Sequence, residues 1–218
     1  MFKHKLLILF LFLSITTIPL VQALTTQPLF NKVIYIDPGH GGRDPGAIYK
    51  DIKESDINLQ ISNYLEEELT KLGAIVYLTR YEDVDLSPST KNRKKNDLYS
   101  RVKLINNSNC DLYISIHLNS ISNSTWYGAQ VFYDDINEKN KEIADIFQQT
   151  IKEKLSSSRE YKQITDIYLN KNITRPGILV EVGFLSNPNE RYLLKTEDYQ
   201  RKIASTLANA TTKYLRYK

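Results

Sequence analysis

Val33-Ile-Tyr-Ile-Asp-Pro-Gly-His-Gly-Gly42 is a short apolar, β-branched and aromatic run that breaks at a proline and lands on a histidine set among three glycines. Leu112-Tyr-Ile-Ser-Ile-His-Leu-Asn119 repeats the arrangement of a strand-like run ending in a histidine. Runs of this composition read as buried strands. Pro38 stops the first one, and the glycines let the backbone turn sharply and come close to a ligand. The chain has three histidines, and His4 lies in an N-terminal leader. The other two, His40 and His117, each fall just past a predicted strand. Ligands of α/β sheets gather outside the carboxyl ends of the strands. Two imidazoles there, with the carboxylate of Glu54 between them in sequence, look like a metal site.

Working outward, apolar patterns alternate between strand and helix type. Residues 55–72 predict a helix, with Ile57, Ile61, Leu65 and Leu69 stepping by four, Ser55 or Asp56 as cap and Gly73 as stop. Residues 74–79 predict a strand, 97–107 a helix, 111–116 a strand and 128–133 a strand nearer an edge. A long helix over 137–155 follows, then a buried strand over 178–182 and a closing helix over 199–214. This alternation predicts a single-domain α/β fold over residues 30–218, with a mostly parallel twisted sheet of about six strands and helices on both faces.

The first 23 residues read as an export signal. Lys3 and Lys5 precede an apolar stretch, and Val21-Gln22-Ala23 supplies a cleavage site. An uncleaved membrane anchor is the alternative, although the stretch is short against the roughly 20 apolar residues that a spanning helix needs. Either way the remainder is expected to be exported and to work outside the cytoplasm. The formal charge is +4, and two of those charges are the leader lysines. So mild a balance, without a basic stripe carrying interleaved aromatics, argues against a nucleic-acid role. Cys110 is the only cysteine, so there is no internal disulfide. It reads as a small buried hydrophobe rather than a nucleophile, since no base lies near it in sequence.

Taken singly, most candidate site residues have a plain structural reading. His40 could be an incidental member of a tight turn, and His117 a buried, backbone-bonded imidazole. Glu54 could be a first-turn acid favoured by the helix dipole, and spacing does not separate it from Asp51 or Asp56. Glu181 is sharper. It interrupts the apolar run Gly177-Ile-Leu-Val-Glu-Val-Gly-Phe-Leu185, where a carboxylate is costly unless paired or used. Together these residues suit metal-assisted hydrolysis. Zinc accepts two imidazoles and a carboxylate and keeps a position open. A second carboxylate then takes the proton of the attacking water and passes it to the leaving amine. No HExxH motif is present, which excludes the thermolysin-like helix arrangement.

In combination, the segments Asp37-Pro-Gly-His-Gly-Gly42, Lys53-Glu54, Thr79-Arg80, Tyr99-Ser-Arg101, Ser115-Ile-His-Leu-Asn119 and Leu179-Val-Glu-Val-Gly-Phe-Leu-Ser-Asn187 resemble the zinc-dependent N-acetylmuramoyl-L-alanine amidases, also called the amidase-3 family. The resemblance runs from about Val33 to Tyr214. It implies one zinc ion held by His40, Glu54 and His117, with Glu181 as catalytic glutamate, and so selects Glu54 over its acidic neighbours. Asp85-Leu-Ser-Pro88, the basic loop through Arg93-Lys-Lys95, Gly128-Ala-Gln130 and Pro176-Gly177 are most similar to the sporulation-specific branch of that family. That branch implies action on spore-cortex peptidoglycan, in forming the muramic-δ-lactam needed for germination, and an exported accessory lipoprotein as partner.

Many family members carry wall-binding repeats, and none is expected here. Division amidases usually carry an inhibitory helix after the second histidine, where only residues 120–127 intervene. The cluster Lys91, Arg93, Lys94 and Lys95 reads either as a contact for substrate carboxylates or as a solvated loop. The rival functions are a vegetative autolysin of the same chemistry, a non-catalytic wall-binding protein and a zinc deacetylase acting on the sugar's acetamide.

Overall fold

The computed structural model describes residues 27–216, so the expected leader lies outside the described residues. The elements in chain order are β1 (Val33–Pro38), β2 (Ile48–Tyr49), β3 (Ile52–Lys53), α1 (Glu54–Lys71), β4 (Ile75–Leu78), α2 (Arg93–Asn107) and β5 (Leu112–Asn119). Then come β6 (Gln130–Tyr133), α3 (Asn140–Leu155), β7 (Lys162–Gln163), α4 (Tyr168–Asn172), β8 (Gly177–Phe184), α5 (Pro188–Leu194) and α6 (Glu197–Leu215). Six strands form one sheet in the order β4-β1-β5-β8-β6-β7, and β2 and β3 make a separate hairpin. β1, β4, β5 and β8 run parallel, and β6 pairs antiparallel with β8. The expected mostly parallel, six-stranded sheet is what forms.

Strand alternation feeds two cores. Ile34, Ile36, Ile114, Ile116, Ile178 and Val180 meet Ile61, Leu65 and Leu69 of α1, Phe147 and Ile151 of α3, and Ile203 and Leu207 of α6. Val33, Tyr35 and Tyr113 point the other way, toward Val102 and Ile105 of α2 and Leu169 of α4. The period of two along a strand is what sends neighbours to opposite layers. Each large apolar side chain fully buried this way contributes about 1.5–3 kcal/mol. Cys110 joins the smaller core, and burial pushes its thiol pKa up, as its reading as a hydrophobe requires.

Several boundaries differ from the sequence expectation. α1 has no Ser55 or Asp56 cap. It starts at Glu54 with Lys53 as N-cap, and its first donors go to the preceding loop: Glu54 N–H to Ala47 O (2.9 Å) and Ser55 N–H to Pro45 O (3.1 Å). α2 begins at Arg93, four residues early, because its first turn, Arg93 to Asn96, carries no apolar period to read. β5 runs on to Asn119, so His117 lies within the strand rather than past it. Between His117 and Asn119 the β5–β8 register shifts by one residue, from His117↔Glu181 to Asn119↔Phe184. β6 starts at Gln130 rather than Gly128, whose φ of +95° is not that of a strand. α3 starts at Asn140 rather than 137. β2, β3, β7, α4 and α5 are too short for a periodic signal.

At the carboxyl end of β1 the sheet carries a buried charge. Asp37 is 1% exposed, and its carboxylate accepts from Thr79 Oγ1 (2.6 Å), Ser115 Oγ (2.8 Å) and Arg101 Nη1 (2.8 Å). Arg101 also donates from Nε to Asp97 at 2.8 Å. Burial alone would raise the Asp37 pKa, but Arg101 and the two hydroxyls hold it below its ordinary value of 3.8. A carboxyl depressed in the folded state stabilises above its unfolded pKa, and that stability is lost as pH falls through the folded value. Asp37→Asn is therefore expected to cost about 3 kcal/mol at neutral pH, the scale for breaking a buried pair. Urea unfolding should show the gap to the unsubstituted protein narrowing below about pH 4.

Candidate metal centre

The loop after β1 is held by its carbonyls. Arg80 Nε and Arg101 Nη1 donate to Pro38 O (3.0 and 2.8 Å), Arg80 Nη2 to Gly39 O (3.1 Å) and Arg101 Nη2 to His40 O (2.6 Å). Two guanidiniums thus hold three successive carbonyls, and His40 is kept at φ +62°, a conformation uncommon for a residue with a Cβ. A Cβ on Gly39 would come within 2.3 Å of the His117 ring, and one on Gly46 within 2.6 Å of Glu54 Oε2. Both glycines are required by close approach of site side chains, not by turn geometry alone.

Glu54 opens α1 and is buried, while Asp51 and Asp56 are exposed. The structure therefore separates the three acids that spacing left equal. Glu54 Oε1 lies 3.3 Å from His40 Nε2 and 3.2 Å from His117 Nδ1. The same oxygen accepts from Leu118 N–H (3.0 Å) and Asn58 Nδ2 (3.2 Å), and Oε2 accepts from Ala47 N–H (2.9 Å). Burial would raise the Glu54 pKa, but the hydrogen bonds from His117 and His40 hold it well below the usual carboxylate range. His40 Nδ1 faces Asp44 at 3.1 Å. Burial would lower the His40 pKa, yet Glu54 and Asp44 raise it above 6.5. A carboxylate on the far nitrogen fixes the tautomer and leaves Nε2 free to bind a metal.

One donor atom from each of His40, Glu54 and His117 fits within a 4.8 Å spread, and these three form a metal-competent group among the described residues. The two histidines line a cavity of about 240 Å³ with Asp44, Lys94 and Glu181. Glu181 sits directly across the ladder from His117. Its Oε2 is buried without a hydrogen-bond partner, and burial pushes its pKa up to about 7. Two neighbouring carboxylates are thereby driven apart, one kept ionised and the other poised near neutrality.

The basic cluster divides. Arg93 pairs with Asp85, Lys94 reaches Asp44 at 3.5 Å on the rim, and Lys91 and Lys95 stay exposed. Residues 120–127 contain no helix, so nothing helical follows His117 before β6. Sequence reading missed four supporting groups: Asp44, Asn58, Arg80 and Arg101. The two arginines lie inside motifs that carry the resemblance, but only their carbonyl partners reveal what they do.

A one-domain α/β fold with a His–Glu–His cluster and a raised glutamate at the carboxyl ends of parallel strands is the frame of a metal-assisted hydrolase. The profile of the N-acetylmuramoyl-L-alanine amidases matches residues 34–213, and the chain belongs to that family. The germination-specific N-acetylmuramoyl-L-alanine amidase of Bacillus subtilis is 45% identical over 192 residues, covering 86% of this chain and 81% of that protein. Among solved structures, the CwlD amidase of Clostridioides difficile, determined in complex with the GerS lipoprotein, is 40% identical with a TM-score of 0.82, covering 86% of this chain and all of that one. An N-acetylmuramoyl-L-alanine amidase from Clostridium difficile 630 is 32% identical with a TM-score of 0.78, covering 86% and 98%.

The close approach at Gly39 has a direct consequence. Gly39→Ala should displace the His117 ring or the β1 loop and cost about 1–3 kcal/mol, the usual range for overpacking. Thermal unfolding, together with the His117 ring resonances, would register both effects. Unchanged ring resonances and an unchanged midpoint would contradict the contact.

Proposed function

We propose that this protein hydrolyses the amide between the lactyl group of N-acetylmuramic acid and the L-alanine of the peptidoglycan stem peptide, with His40, Glu54 and His117 holding one zinc ion and Glu181 moving the proton. The observation that carries the reading is the convergence of those three donors opposite a buried, unpartnered Glu181 oxygen in a family member. The donor set of two imidazole nitrogens and one carboxylate suits zinc. When bound, the ion supplies Lewis-acid polarisation of the scissile carbonyl and of water.

The chain's own residues do the rest. Glu54 brings a charge that stays ionised throughout the working range, and its bonds to Ala47 and Asn58 hold the carboxylate in place. Asp44 fixes the His40 ring, and Glu54 Oε1 and the Gly39 backbone fix that of His117. Glu181 accepts the water proton as the C–N bond is attacked and returns it to the departing alanine nitrogen, so the products are a lactyl carboxylate and a free amine.

The setting is proposed with the chemistry. The first 23 residues would direct export as a cleaved signal or an uncleaved anchor. No helix among the described residues is long and apolar enough to cross a membrane. The likeness to a germination-specific amidase supports spore cortex as substrate and a part in muramic-δ-lactam formation. The likeness to an amidase solved with a lipoprotein supports an exported lipoprotein partner.

The decisive experiment is digestion of purified peptidoglycan by the zinc-loaded protein, with product masses read out. Free stem peptides carrying an unmodified L-alanine amine, lost on chelation, are expected. Glu181→Gln should reduce turnover by at least about 100-fold, the lower range for a general base, while keeping stoichiometric metal. Appreciable residual hydrolysis would remove Glu181 from that role. His117→Ala should lose tight zinc binding, read by metal content after dialysis. Affinity in the unsubstituted protein should fall as pH drops below the raised His40 pKa, because each imidazole must be neutral to bind.

A further inference from the structure

Beside Glu181, on the side away from His40, lies an aromatic platform that the proton transfer does not use. Trp126 is 49% exposed and Tyr127 is 57% exposed, in the connection between β5 and β6. The Arg159 guanidinium lies 4.8 Å from the Trp126 ring centroid and 4.5 Å from that of Phe184, so it is sandwiched between an exposed ring and a buried one. Arg159 Nε donates to Tyr127 O at 2.7 Å and Nη1 to Gln130 Oε1 at 3.3 Å. Its Nη2 has no hydrogen-bond partner among the described residues. Gln130 is the ladder partner of Glu181, and directly opposed residues share a face of the sheet. The platform is thus one strand over from Glu181.

The chain is built to hold this arginine. Ser156 ends α3 at φ +57°, Ser157 Oγ donates to Ala129 O at 2.7 Å, and Arg159 N–H returns a bond to Ser157 Oγ at 3.2 Å. Gly128 sits at φ +95°, where a Cβ would meet Ser157 Oγ at 2.8 Å. A surface arginine needs none of this for solubility. What it gains is a fixed plane behind an indole that stays half exposed, one strand beyond Glu181. Exposed aromatic surface a strand away from a site is a place where an extended ligand can lie.

We propose that Trp126, backed by Arg159, is the floor of a subsite for an amino-sugar ring of the glycan strand. This rests on the amidase reading, which puts a polymer of such rings against this surface. A pyranose offers an apolar C–H face to an indole, through weak contacts that add up over a flat surface. Its acetamido carbonyl is an acceptor suited to the free Arg159 Nη2. The stem peptide offers no comparable flat face and would leave toward the Lys94 rim. The platform therefore selects glycan, and the metal side handles the amide.

Trp126 is the only tryptophan in the chain, so its emission reports this position alone. The intact protein would be titrated with peptide-free N-acetylglucosamine oligomers and, separately, with free stem peptide. A saturable emission change with the oligomers and none with the peptide is expected. Arg159→Lys should weaken the oligomer response several-fold, because an ammonium does not stack as a plane. Trp126→Ala should raise KM on glycan strands several-fold with little change in kcat, the pattern of lost uniform binding. No saturable response to oligomers, or a response to the peptide alone, would overturn the subsite. The emission reading needs neither metal nor turnover. Failure of the unsubstituted protein to release stem peptides would count against the amidase reading and leave the binding result standing.

Discussion

Three consecutive carbonyls, those of Pro38, Gly39 and His40, point at two buried guanidiniums, and everything at the site depends on that grip. Arg101 is anchored from below by Asp37 and Asp97, and Arg80 spans from the β1 loop to Ser55 O at the start of α1 at 2.8 Å. The histidine loop and the helix that carries Glu54 are therefore tied to one rigid set of charges. Buried ion pairs add little net stability by themselves, because desolvation offsets the attraction. Their value here is geometric. They hold the first histidine in an unfavourable backbone conformation beside an acid from another element, before any ligand arrives.

The same site treats its two glutamates in opposite ways. Glu54 is surrounded by donors on both oxygens and stays charged. Glu181 is half-buried in a strand with one buried oxygen unmet, and is pushed toward neutrality. Neither state follows from residue type. The difference comes from where each backbone lies: Glu54 at a helix start facing loop amides, Glu181 mid-strand between apolar neighbours. A division of labour between a holding group and a proton carrier is what hydrolysis of an amide requires.

Much of this was legible in the chain. The alternation of Ile34 and Ile36 with Val33 and Tyr35, and the four-residue steps from Ile57 to Leu69, are driven by burial, and burial leaves a periodic mark. Glu181 was visible for the converse reason, as a charge in an apolar run. Glu54 was not legible from spacing, because Asp51 and Asp56 satisfy the same local preferences; the family resemblance picked it out, and its burial beside both histidines gives the physical reason. Arg80 and Arg101 were invisible as functional groups since the loop carbonyls they hold are far away in sequence, and Asp44 because nothing in the loop marks which acid meets His40. The α1 start was misplaced for a related reason: carbonyls of Pro45 and Ala47 do the work that a capping side chain does elsewhere.

The register shift in the β5–β8 ladder carries one more implication. Glu181 and Phe184 are three residues apart, an odd spacing that in an unbroken strand would send them to opposite faces. Two residues of β5 are matched by three of β8 between those points, so both end up facing partners, His117 and Asn119, that share a face. At that spacing the proton carrier and the ring beneath Arg159 are in phase because the ladder absorbs the extra residue as a bulge. A regular ladder through Val182 and Gly183, without the bulge, would rotate the aromatic stack to the wrong side of the sheet. Within this fold, the bulge between Glu181 and Phe184 is as much a part of the site as the identity of either residue.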